Sequence, residues 1–511
     1  MRLAGLCLAV TCAMLSILWL AANAFGDALE RQTTYEMIAD ALSVPPDREH
    51  AVTWLSPVAD MARPVTEADE ALLGQALEEA WTVLATAQDT GNAAVLSDRF
   101  SGVALERATL AVADAQAHGG RMAVLAINAR PAFFHKDGSL FQAETEMTVM
   151  RYLASGDTLH THELTRETGV ATFLNEANGW RLYSYERHSS KALSNDNAPW
   201  SGHTSGLNYY PAHSPWRDFW TDFDISVVEA DFTRIRDLGA NSVRIFLTQA
   251  DFLASDPSDA LVKLSQLLAA ADQNDLSVIP TLFDLKQDFS LSGWAEDAQY
   301  LNTVLPVLAQ SDAVAFVDIK NEPDLDFAHH GEAKIMAWLT TMTGLIRSYS
   351  NHLSLTIGWS KAEDAARLAA NLDVITYHDY APLTDAKDRL AGVRAVANGK
   401  PVVITEIGQS SFDMALGFPG SDQKQAKALT DRLEALEDAD GVLIWTLYDF
   451  PVVDATVVGG SPWVKRLQKA FGLLHPKGDE KPTAQALRNF WTPTSSQKHS
   501  MMTGKVPASA L

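Results

Sequence analysis

Eight short, apolar, β-rich runs recur between residues 201 and 491, and this repetition limits the possible folds more than any other feature of the sequence. Amphipathic helical patterns separate the runs, so that strand and helix alternate about every 30 to 40 residues. The predicted strands are residues 206–210, 242–247, 277–282, 314–319, 353–357, 374–377, 401–405 and 441–446. The predicted helices include residues 227–238, 260–274, 335–349 and 423–437. Apolar strands joined by helical crossovers indicate a parallel sheet that is buried on both faces.

Eight strand–helix units in about 290 residues predict an α/β fold of the closed (β/α)₈ TIM-barrel type. A doubly wound open sheet is the alternative architecture. However, no glycine-rich phosphate loop follows the first strand, where a nucleotide-binding open sheet would require one. In a closed barrel, reactive side chains lie just beyond the carboxyl ends of the strands. The residues that follow each predicted strand are therefore the first candidates for a functional site.

Residues 28–193 predict a smaller α+β domain in front of the barrel. Helical periodicity marks residues 71–87 and 103–117, and alternating patterns then mark strands at 122–127, 140–153, 159–163, 169–173 and 179–185. Asp137-Gly138 and Gly156-Asp157 are typical hairpin turns between strands. Helices followed by a curled antiparallel sheet, ending in "TFLNEANGWRLYSYER", resemble the cone-shaped nuclear-transport-factor-2-like fold. The sequence of this segment shows no group of residues typical of a catalytic site. We therefore interpret it as an accessory domain that binds a partner, such as another protein.

The two ends of the chain predict segments outside both domains. Arg2 precedes an almost uncharged apolar run, and small residues end it at Ala24. This pattern indicates a signal peptide over residues 1–24, although residues 3–25 are also long enough for an uncleaved membrane anchor. A polar, turn-prone linker over residues 194–199 separates the two domains, and residues 492–511 have the composition of a disordered tail. We therefore expect an exported protein, periplasmic or secreted, that touches a membrane only if the anchor is retained.

Charge and cysteine content exclude several classes of function. The chain has 64 acidic against 40 basic residues, a formal net charge of −24, which disfavours nucleic acid and anionic lipid as partners. Cys7 and Cys12 are the only cysteines and lie in the N-terminal apolar run, so the two domains have no disulfide, thiol nucleophile or thiolate metal site. His329 and His330 are adjacent, and adjacent helical residues do not share a face. We predict no metal site and no cofactor.

Two glutamates follow predicted strands that face each other across the barrel mouth. Glu322 follows the fourth strand and Glu406 the seventh. Each alone could be a solvated charge at a strand end. Together, on opposite strands, they could flank a single bond, with one held protonated as general acid and the other ionised as nucleophile. This arrangement is the one that hydrolysis of a glycosidic bond requires, and in retaining enzymes the carboxyls lie about 5 Å apart.

The motifs around these glutamates resemble the clan A retaining glycoside hydrolases, most closely family 5. The motifs occur in order as "GLNYYP", "GANSVRIFL", "VDIKNEPD", "VITYHDY", "PVVITEIG" and "VLIWTLYDF", and the resemblance covers residues 201–491. It implies that Glu322 is the general acid/base and Glu406 the nucleophile. It also implies that Asn321 binds the 2-hydroxyl of the sugar, and that Arg244 pairs with the nucleophile.

The resemblance implies further pocket residues. Tyr380 would orient Glu406, and His378 would contact substrate or the acid/base, although a structural histidine is the alternative. Trp445 would form the aromatic floor under a sugar ring, since an indole suits the apolar face of a pyranose. Asn208, Asp284 and Asp449 are further possible polar contacts. Four tryptophans could contact sugar or pack in the core, namely Trp216, Trp220, Trp294 and Trp359.

The predicted function is therefore an exported retaining β-glycoside hydrolase that acts on a β-linked poly- or oligosaccharide. The alternative is a non-catalytic sugar-binding or assembly protein of a polysaccharide export system. Many family 5 members have a histidine after the third strand, where this chain has Asp284, so the sugar stays open between glucan, mannan and galactan. Loops at residues 284–295, 408–422 and 447–463 would shape the cleft. The sequences of these loops do not decide whether the sugar chain is cut internally or at its end. They also do not decide between hydrolysis and transglycosylation.

Overall fold

The computed structural model describes residues 52–58, 61–176, 179–193, 198–254, 256–412 and 420–491. The predicted signal or anchor, the core of the predicted linker and the predicted tail lie outside these residues. Among the described residues, no helix combines the length and apolar character that a membrane crossing requires.

The N-terminal part forms a curled, five-stranded sheet with two long helices packed on it. The helices are α1 (Glu67–Thr90) and α2 (Gly102–His118), and a 3₁₀ helix, Ala93–Asp98, joins them. The strands are β1 (Val52–Trp54), β2 (Gly120–Phe134), β3 (Leu140–Ser155), β4 (Thr158–Glu176) and β5 (Gly179–Ala192). They pair in sequence order, antiparallel except that β1 runs parallel to β2. The smaller α+β domain is thus confirmed, and its nuclear-transport-factor-2-like character stays a prediction.

Two details of this sheet differ from the sequence prediction. The predicted strands at 159–163 and 169–173 are parts of one continuous strand, β4, whose polar middle pairs with both neighbours. The polar residues in the middle of β4 interrupt the alternation of apolar and polar residues by which a strand is predicted. Backbone pairing with neighbouring strands does not require that alternation. Strand β1 was not predicted, because three residues are too few to show a period.

The C-terminal part is an eight-stranded parallel barrel. Its strands are β6 (Thr204–Asn208), β7 (Ser242–Thr248), β8 (Ser277–Asp284), β9 (Val317–Asn321), β10 (Leu355–Gly358), β11 (Ile375–His378), β12 (Val402–Ile407) and β13 (Gly441–Trp445). Each strand pairs with its neighbour in the chain, and β13 returns to pair with β6. A bridge between Trp359 and Tyr377 links β10 to β11 and closes the ring. The TIM-barrel prediction is confirmed, and the open sheet is excluded.

Helices cover the outside of the barrel. They are α3 (Asp218–Thr221), α4 (Ile225–Asp237), α5 (Gln249–Phe252), α6 (Ser258–Gln273), α7 (Trp294–Ala309), α8 (Phe327–His330), α9 (Glu332–Tyr349), α10 (Ala386–Ala397), α11 (Asp422–Ala435), α12 (Ala455–Val458), α13 (Pro462–Gln468) and α14 (Pro482–Trp491). Short 3₁₀ helices occur at Leu291–Gly293, Pro323–Asp326, Ala362–Ala366, Ala369–Asn371 and Leu383–Asp385. The crossover from β10 to β11 contains only 3₁₀ turns, because it is too short for a packed α-helix.

The barrel interior is layered, with an apolar plug below a polar layer. The plug contains buried side chains of several strands, including Ile279, Val403 and Leu443, and Trp200 packs against it. Above the plug, toward the carboxyl ends of the strands, the interior holds charged residues. Burying charges beside a tightly packed apolar layer is stable only when the charges are paired. The apolar plug therefore closes the amino-terminal end of the barrel, and a functional site can form only at the carboxyl ends of the strands.

The N-terminal part has a hydrophobic core of its own, and a few of its apolar side chains also join the core of the barrel. Met150 and Tyr152 of β3 belong to the same buried cluster as the barrel helices, and Tyr152 stacks on Trp294 with ring centroids 6.0 Å apart. Between the domains, His162 Nε2 also lies 2.8 Å from Thr341 Oγ1. The sheet of the smaller domain thus packs directly on α7 and α9.

Asp89, in the last turn of α1, connects the smaller domain to a loop of the barrel. Its carboxylate accepts hydrogen bonds from the Leu291 backbone N–H at 2.8 Å and from Lys334 Nζ at 3.0 Å. We expect Asp89→Ala to lower the free energy of unfolding by about 1–3 kcal/mol, since it leaves both donors without their partner. Urea titration would measure the change. Asp114→Ala, which removes an exposed carboxylate paired only with His118, should change stability by less than about 0.5 kcal/mol. Equal effects of the two variants would contradict a structural role for Asp89.

Candidate active site

The predicted functional side chains converge on one cavity of about 420 Å³ at the carboxyl end of the barrel. Asn321, Glu322, Tyr380, Glu406 and Trp445 all line it. Parallel strands bring their carboxyl ends to the same rim, and this is why residues far apart in the chain meet here. The volume lies within the range of small-molecule sites, which is roughly 300–1,000 Å³.

Glu406 is held from two sides. Arg244 Nη1 donates to its Oε1 at 2.7 Å, and the Tyr380 hydroxyl donates to its Oε2 at 2.9 Å. The side chain is only 8% exposed, which fixes its position at the base of the cavity. Two hydrogen bonds from different strands orient the carboxylate, so that it needs no reorganisation to face a ligand.

Arg244 is fully buried and uses all five of its N–H donors within the protein. Besides Glu406, they reach Asp318 twice, at 3.1 and 2.7 Å, Asn208 at 2.9 Å and Asn321 at 2.8 Å. Burial opposes its charge, but the Asp318 and Glu406 carboxylates raise the pKa of Arg244 above its usual value. Arg244 was predicted to pair with the nucleophile, and the structure places its guanidinium against Glu406. The guanidinium lies beneath the cavity and outside its lining, so that it orients Glu406 and does not contact a ligand directly.

Asn208 was predicted as a possible polar contact to substrate, but the structure places it inside the barrel wall. The side chain has 0% exposure. Its Nδ2 donates to the Thr405 carbonyl at 2.9 Å, and its Oδ1 accepts from Arg244. Both ends of the amide are therefore occupied inside the barrel wall. Asn208 positions Arg244 and is closed off from a ligand.

Glu322 lies opposite Glu406 and is paired with His378. His378 Nδ1 is 2.8 Å from Glu322 Oε1 and 3.7 Å from Glu406 Oε2. Burial disfavours the charged forms of both residues, yet the His378 contact lowers the pKa of Glu322, and the Glu406 and Glu322 carboxylates raise the pKa of His378. Both directions favour an ion pair over the protonated carboxyl that the sequence analysis expected of a general acid.

One carboxylate oxygen of Glu322, one of Glu406 and a ring nitrogen of His378 all lie within 4.8 Å of one another. These atom types could bind a metal ion, and among the described residues this is the only such group. The Arg244 guanidinium, 2.7 Å from Glu406, repels a cation at this point. The cluster is better suited to proton transfer and nucleophilic attack than to metal binding.

The backbone around the cavity is unusual in its conformation. Trp216, Leu285 and Glu322 have positive φ angles of 54°, 55° and 47°, and all three line the cavity. Such angles cost about 1–2 kcal/mol in a non-glycine residue, and they concentrate where function requires them. Gly358 has a related role, because a Cβ there would lie 2.9 Å from Asp318 Oδ2 and 3.1 Å from Arg244 Nη2. The charged network occupies the space of that missing side chain.

The remaining predicted residues divide between the cavity and the core. Asp284 and Trp216 line the cavity, and so does Trp445, which lies T-shaped to Tyr210 with ring centroids 6.2 Å apart. Trp220, Trp294 and Trp359 are buried in the core. Asp449 binds Lys481 at 2.7 Å and is not part of the cavity lining.

Of the three predicted cleft loops, two contribute cavity residues among those described. Asp284 and Leu285 come from the first, and Val457 and Val458 come from the third. Residues 413–419 of the second loop lie outside the described residues.

Sequence reasoning missed Asp318 and Phe471. Asp318 is fully buried and holds Arg244, Thr281 and the Gly358 N–H. It alternates with Lys320 in the buried strand β9, just before Glu322, and this pattern of polar residues was the available signal. Phe471 reaches the cavity from the long segment after β13, and no local pattern marks it.

Asp284 gives a pH-dependent prediction. Burial raises its pKa to about 6, even though Lys320, Arg244 and the Tyr210 hydroxyl favour the charged form. An unfolded aspartate titrates near 3.9, so the folded state binds more protons between about pH 4 and pH 6, and stability falls as the pH rises through this window.

We therefore expect Asp284→Asn to be about as stable as the parent chain at pH 4 and more stable by about 3 kcal/mol at pH 7. Urea unfolding at a series of pH values would measure the difference. Asp259→Asn, at an aspartate whose side chain is 77% exposed, serves as the control. If the difference in stability between Asp284→Asn and the parent is the same at every pH, the pKa of Asp284 is not raised by folding.

Comparison with known proteins agrees with this geometry. Residues 201–450 match the sequence profile of the family Cellulase (glycosyl hydrolase family 5). Over these residues the barrel is similar to the family 5 glycosyl hydrolases. No curated protein sequence matches the chain.

Two of the solved structures similar to this chain are an exo-β-1,4-mannosidase and a GH5_18 protein. The exo-β-1,4-mannosidase Op5Man5 from Opitutaceae bacterium strain TAV5 is 20% identical, with a TM-score of 0.47 over 58% of this chain and 60% of that one. GH5_18 from Streptomyces cattleya, in complex with GlcNAc, is 20% identical, with a TM-score of 0.48 over 61% and 82%. The chain thus spans three fifths of the length of the Opitutaceae protein.

Proposed function

We propose that this protein is an exported, retaining β-glycoside hydrolase that cleaves a β-linked poly- or oligosaccharide by double displacement. The observation that carries the proposal is the separation of at most 4.8 Å between carboxylate oxygens of Glu322 and Glu406. Retaining enzymes have carboxyl groups about 5–5.5 Å apart, whereas inverting enzymes need about 6.5–9.5 Å to admit water. The short separation between these oxygens supports direct attack by a carboxylate.

In the first step, Glu406 attacks the anomeric carbon and Glu322 delivers a proton to the departing oxygen. Arg244 and Tyr380 hold Glu406 in position. The proton comes from the His378–Glu322 pair: as substrate covers the site, it moves from His378 Nδ1 to Glu322 and on to the leaving group. The C–O bond to the leaving group breaks as the bond to Glu406 forms.

In the second step, Glu322 accepts a proton from water as the water attacks the glycosyl–enzyme bond, and the sugar leaves with net retention. Asn321 supports both steps, because its Oδ1 accepts from Arg244 and its Nδ2 donors stay available to a sugar hydroxyl. Trp445 offers an aromatic surface to the ring. Export rests on the N-terminal sequence alone, that is, on Arg2 and the apolar run that follows it.

Covalent trapping tests the proposal. A panel of activated 2-deoxy-2-fluoro β-glycosides should inactivate the full chain, and peptide mass mapping should place the label on Glu406. Such sugars slow both steps, and a good leaving group lets the first one proceed, so the intermediate accumulates. A label on another residue would refute the nucleophile assignment. No label from any sugar in the panel, combined with sugar binding and no turnover, would favour the non-catalytic alternative.

A further inference from the structure

A second cavity, of about 260 Å³, lies inside the N-terminal domain between α2, the C-terminal half of α1 and the curled sheet. Most of its wall is apolar and buried, with Phe100, Met147 and Leu182 each at most 2% exposed. Apolar cavities of about 150 Å³ are large enough to bind benzene. This cavity therefore has room for a ring with several further atoms, or for a short alkyl chain.

The wall carries two hydrogen-bond donors without a partner among the described residues, the Trp81 indole N–H and the Tyr185 hydroxyl. Trp81 is 9% exposed and lines the cavity, and its Nε1–H finds no acceptor among the described residues. Leaving a buried donor unpaired costs free energy, and buried indole N–H groups usually have a partner. An acceptor atom of a bound molecule would remove this cost.

Three arginines and one glutamate are the charged residues of the lining. Glu167 is 1% exposed and accepts from both Arg151, at 2.6 and 3.1 Å, and Arg187, at 3.1 Å. Burial opposes its charge, but these cations outweigh burial and lower the pKa of Glu167. The one negative charge of the lining is thus already neutralised.

The positive charge is in excess at the open end. Arg187 has 53% of its side chain exposed, and Arg107 is exposed as well, while most of the apolar lining residues are buried. The lining carries a net charge of +2 by residue count, three arginines less one glutamate, in a chain whose net charge is −24. Arg107 donates one hydrogen bond to the Tyr185 carbonyl at 3.2 Å. A guanidinium has five N–H donors, so Arg107 can also bind an anion.

We propose that this cavity binds a small amphipathic carboxylate, with the apolar body against the buried wall and the anionic head at Arg107 and Arg187. The buried wall favours an apolar body, and the exposed guanidiniums favour a planar, bidentate anionic acceptor over an alcohol or an amine. The site is separate from the barrel cavity and does not depend on the proposed hydrolysis.

Calorimetric titration of the full chain with octanoate, octanol and octylamine tests the proposal. These probes share an eight-carbon chain and differ in head-group charge. We expect saturable, one-to-one binding of octanoate only. Octanol or octylamine binding as tightly as octanoate would overturn the assignment, and so would the absence of saturable binding of all three.

Two variants and a matched control locate the site. Arg187→Gln should weaken octanoate binding about tenfold, because it removes a charge-assisted contact. Arg166→Gln removes an arginine of similar exposure, 51%, from the same sheet but outside the cavity, and should leave binding unchanged. Ala108→Leu fills the cavity from α2 and should abolish binding, while turnover of the aryl glycoside that the parent cleaves best stays at the parent level. Unchanged octanoate affinity in Arg187→Gln, or an equal loss in Arg166→Gln, would contradict the proposal.

Discussion

Replacing Glu406 with alanine should lower kcat/KM on aryl β-glycosides by roughly four orders of magnitude, the scale seen when a covalent nucleophile is removed. The buried carboxylate is the only group that Arg244 and Tyr380 both orient toward the cavity. Without it, the first displacement has no attacking atom. The variant should keep its fold, because the vacated space opens into the cavity. Circular dichroism and thermal unfolding would establish this before rates are compared.

Azide makes the Glu406 prediction specific. A small anion can enter the space of the missing carboxylate and attack the anomeric carbon directly, which yields an α-glycosyl azide from a β-glycoside. Added azide should therefore restore turnover in Glu406→Ala, with this product identified by proton NMR. Glu363→Gln, at an exposed glutamate of the barrel surface, should retain the parent rate and show no response to azide. Parent-level activity in Glu406→Ala would exclude Glu406 as the nucleophile.

The barrel could be predicted from sequence because its strands are buried on both faces. Each of the eight apolar runs overlaps an observed strand, for example residues 242–247 with Ser242–Thr248 and residues 401–405 with Val402–Ile407. A run of that kind between amphipathic helices has few other stable placements. In the N-terminal sheet, the polar middle of Thr158–Glu176 is paired on both sides, so sequence alternation fails there and the strand was split in two.

The candidate site was predictable to the level of strand ends and no further. Because topology alone brings the ends of the fourth and seventh strands together, Glu322 and Glu406 could be paired without coordinates. Whether a polar residue at such a position faces the cavity or the barrel wall depends on side-chain direction. Asn208 was therefore misplaced, and Asp318, one layer below the rim, was missed.

The proton balance of the site also required coordinates. A glutamate at a strand end suggests a general acid, but its protonation depends on what lies within about 4 Å. His378 Nδ1 lies 2.8 Å from Glu322 Oε1, and this contact lowers the pKa of Glu322 against the effect of burial. The exchange of one proton between these two residues is consistent with Glu322 acting as acid in one step and as base in the next.

Glu322→Ala should show a loss of activity that depends on the leaving group. For phenyl or sugar leaving groups, which need a proton to depart, the fall in kcat/KM should be about 10²–10⁴-fold, the usual contribution of a general acid. For a dinitrophenyl group, which departs as a stable anion, kcat/KM should change little, and the second step should become rate-limiting. A plot of rate against leaving-group pKa would be steep for the variant and shallow for the parent.

Azide distinguishes the role of Glu322 from that of Glu406. In Glu322→Ala the glycosyl–enzyme still forms at Glu406, so azide attacks it from the face that water normally uses and yields a β-glycosyl azide. The two alanine variants should thus give products of opposite anomeric configuration from the same substrate. An α-glycosyl azide from Glu322→Ala would show that Glu322 is the nucleophile and Glu406 the acid/base. Equal losses for all leaving groups would instead mean that Glu322 supports the site without transferring a proton, because a purely structural defect cannot sense the acidity of the departing group.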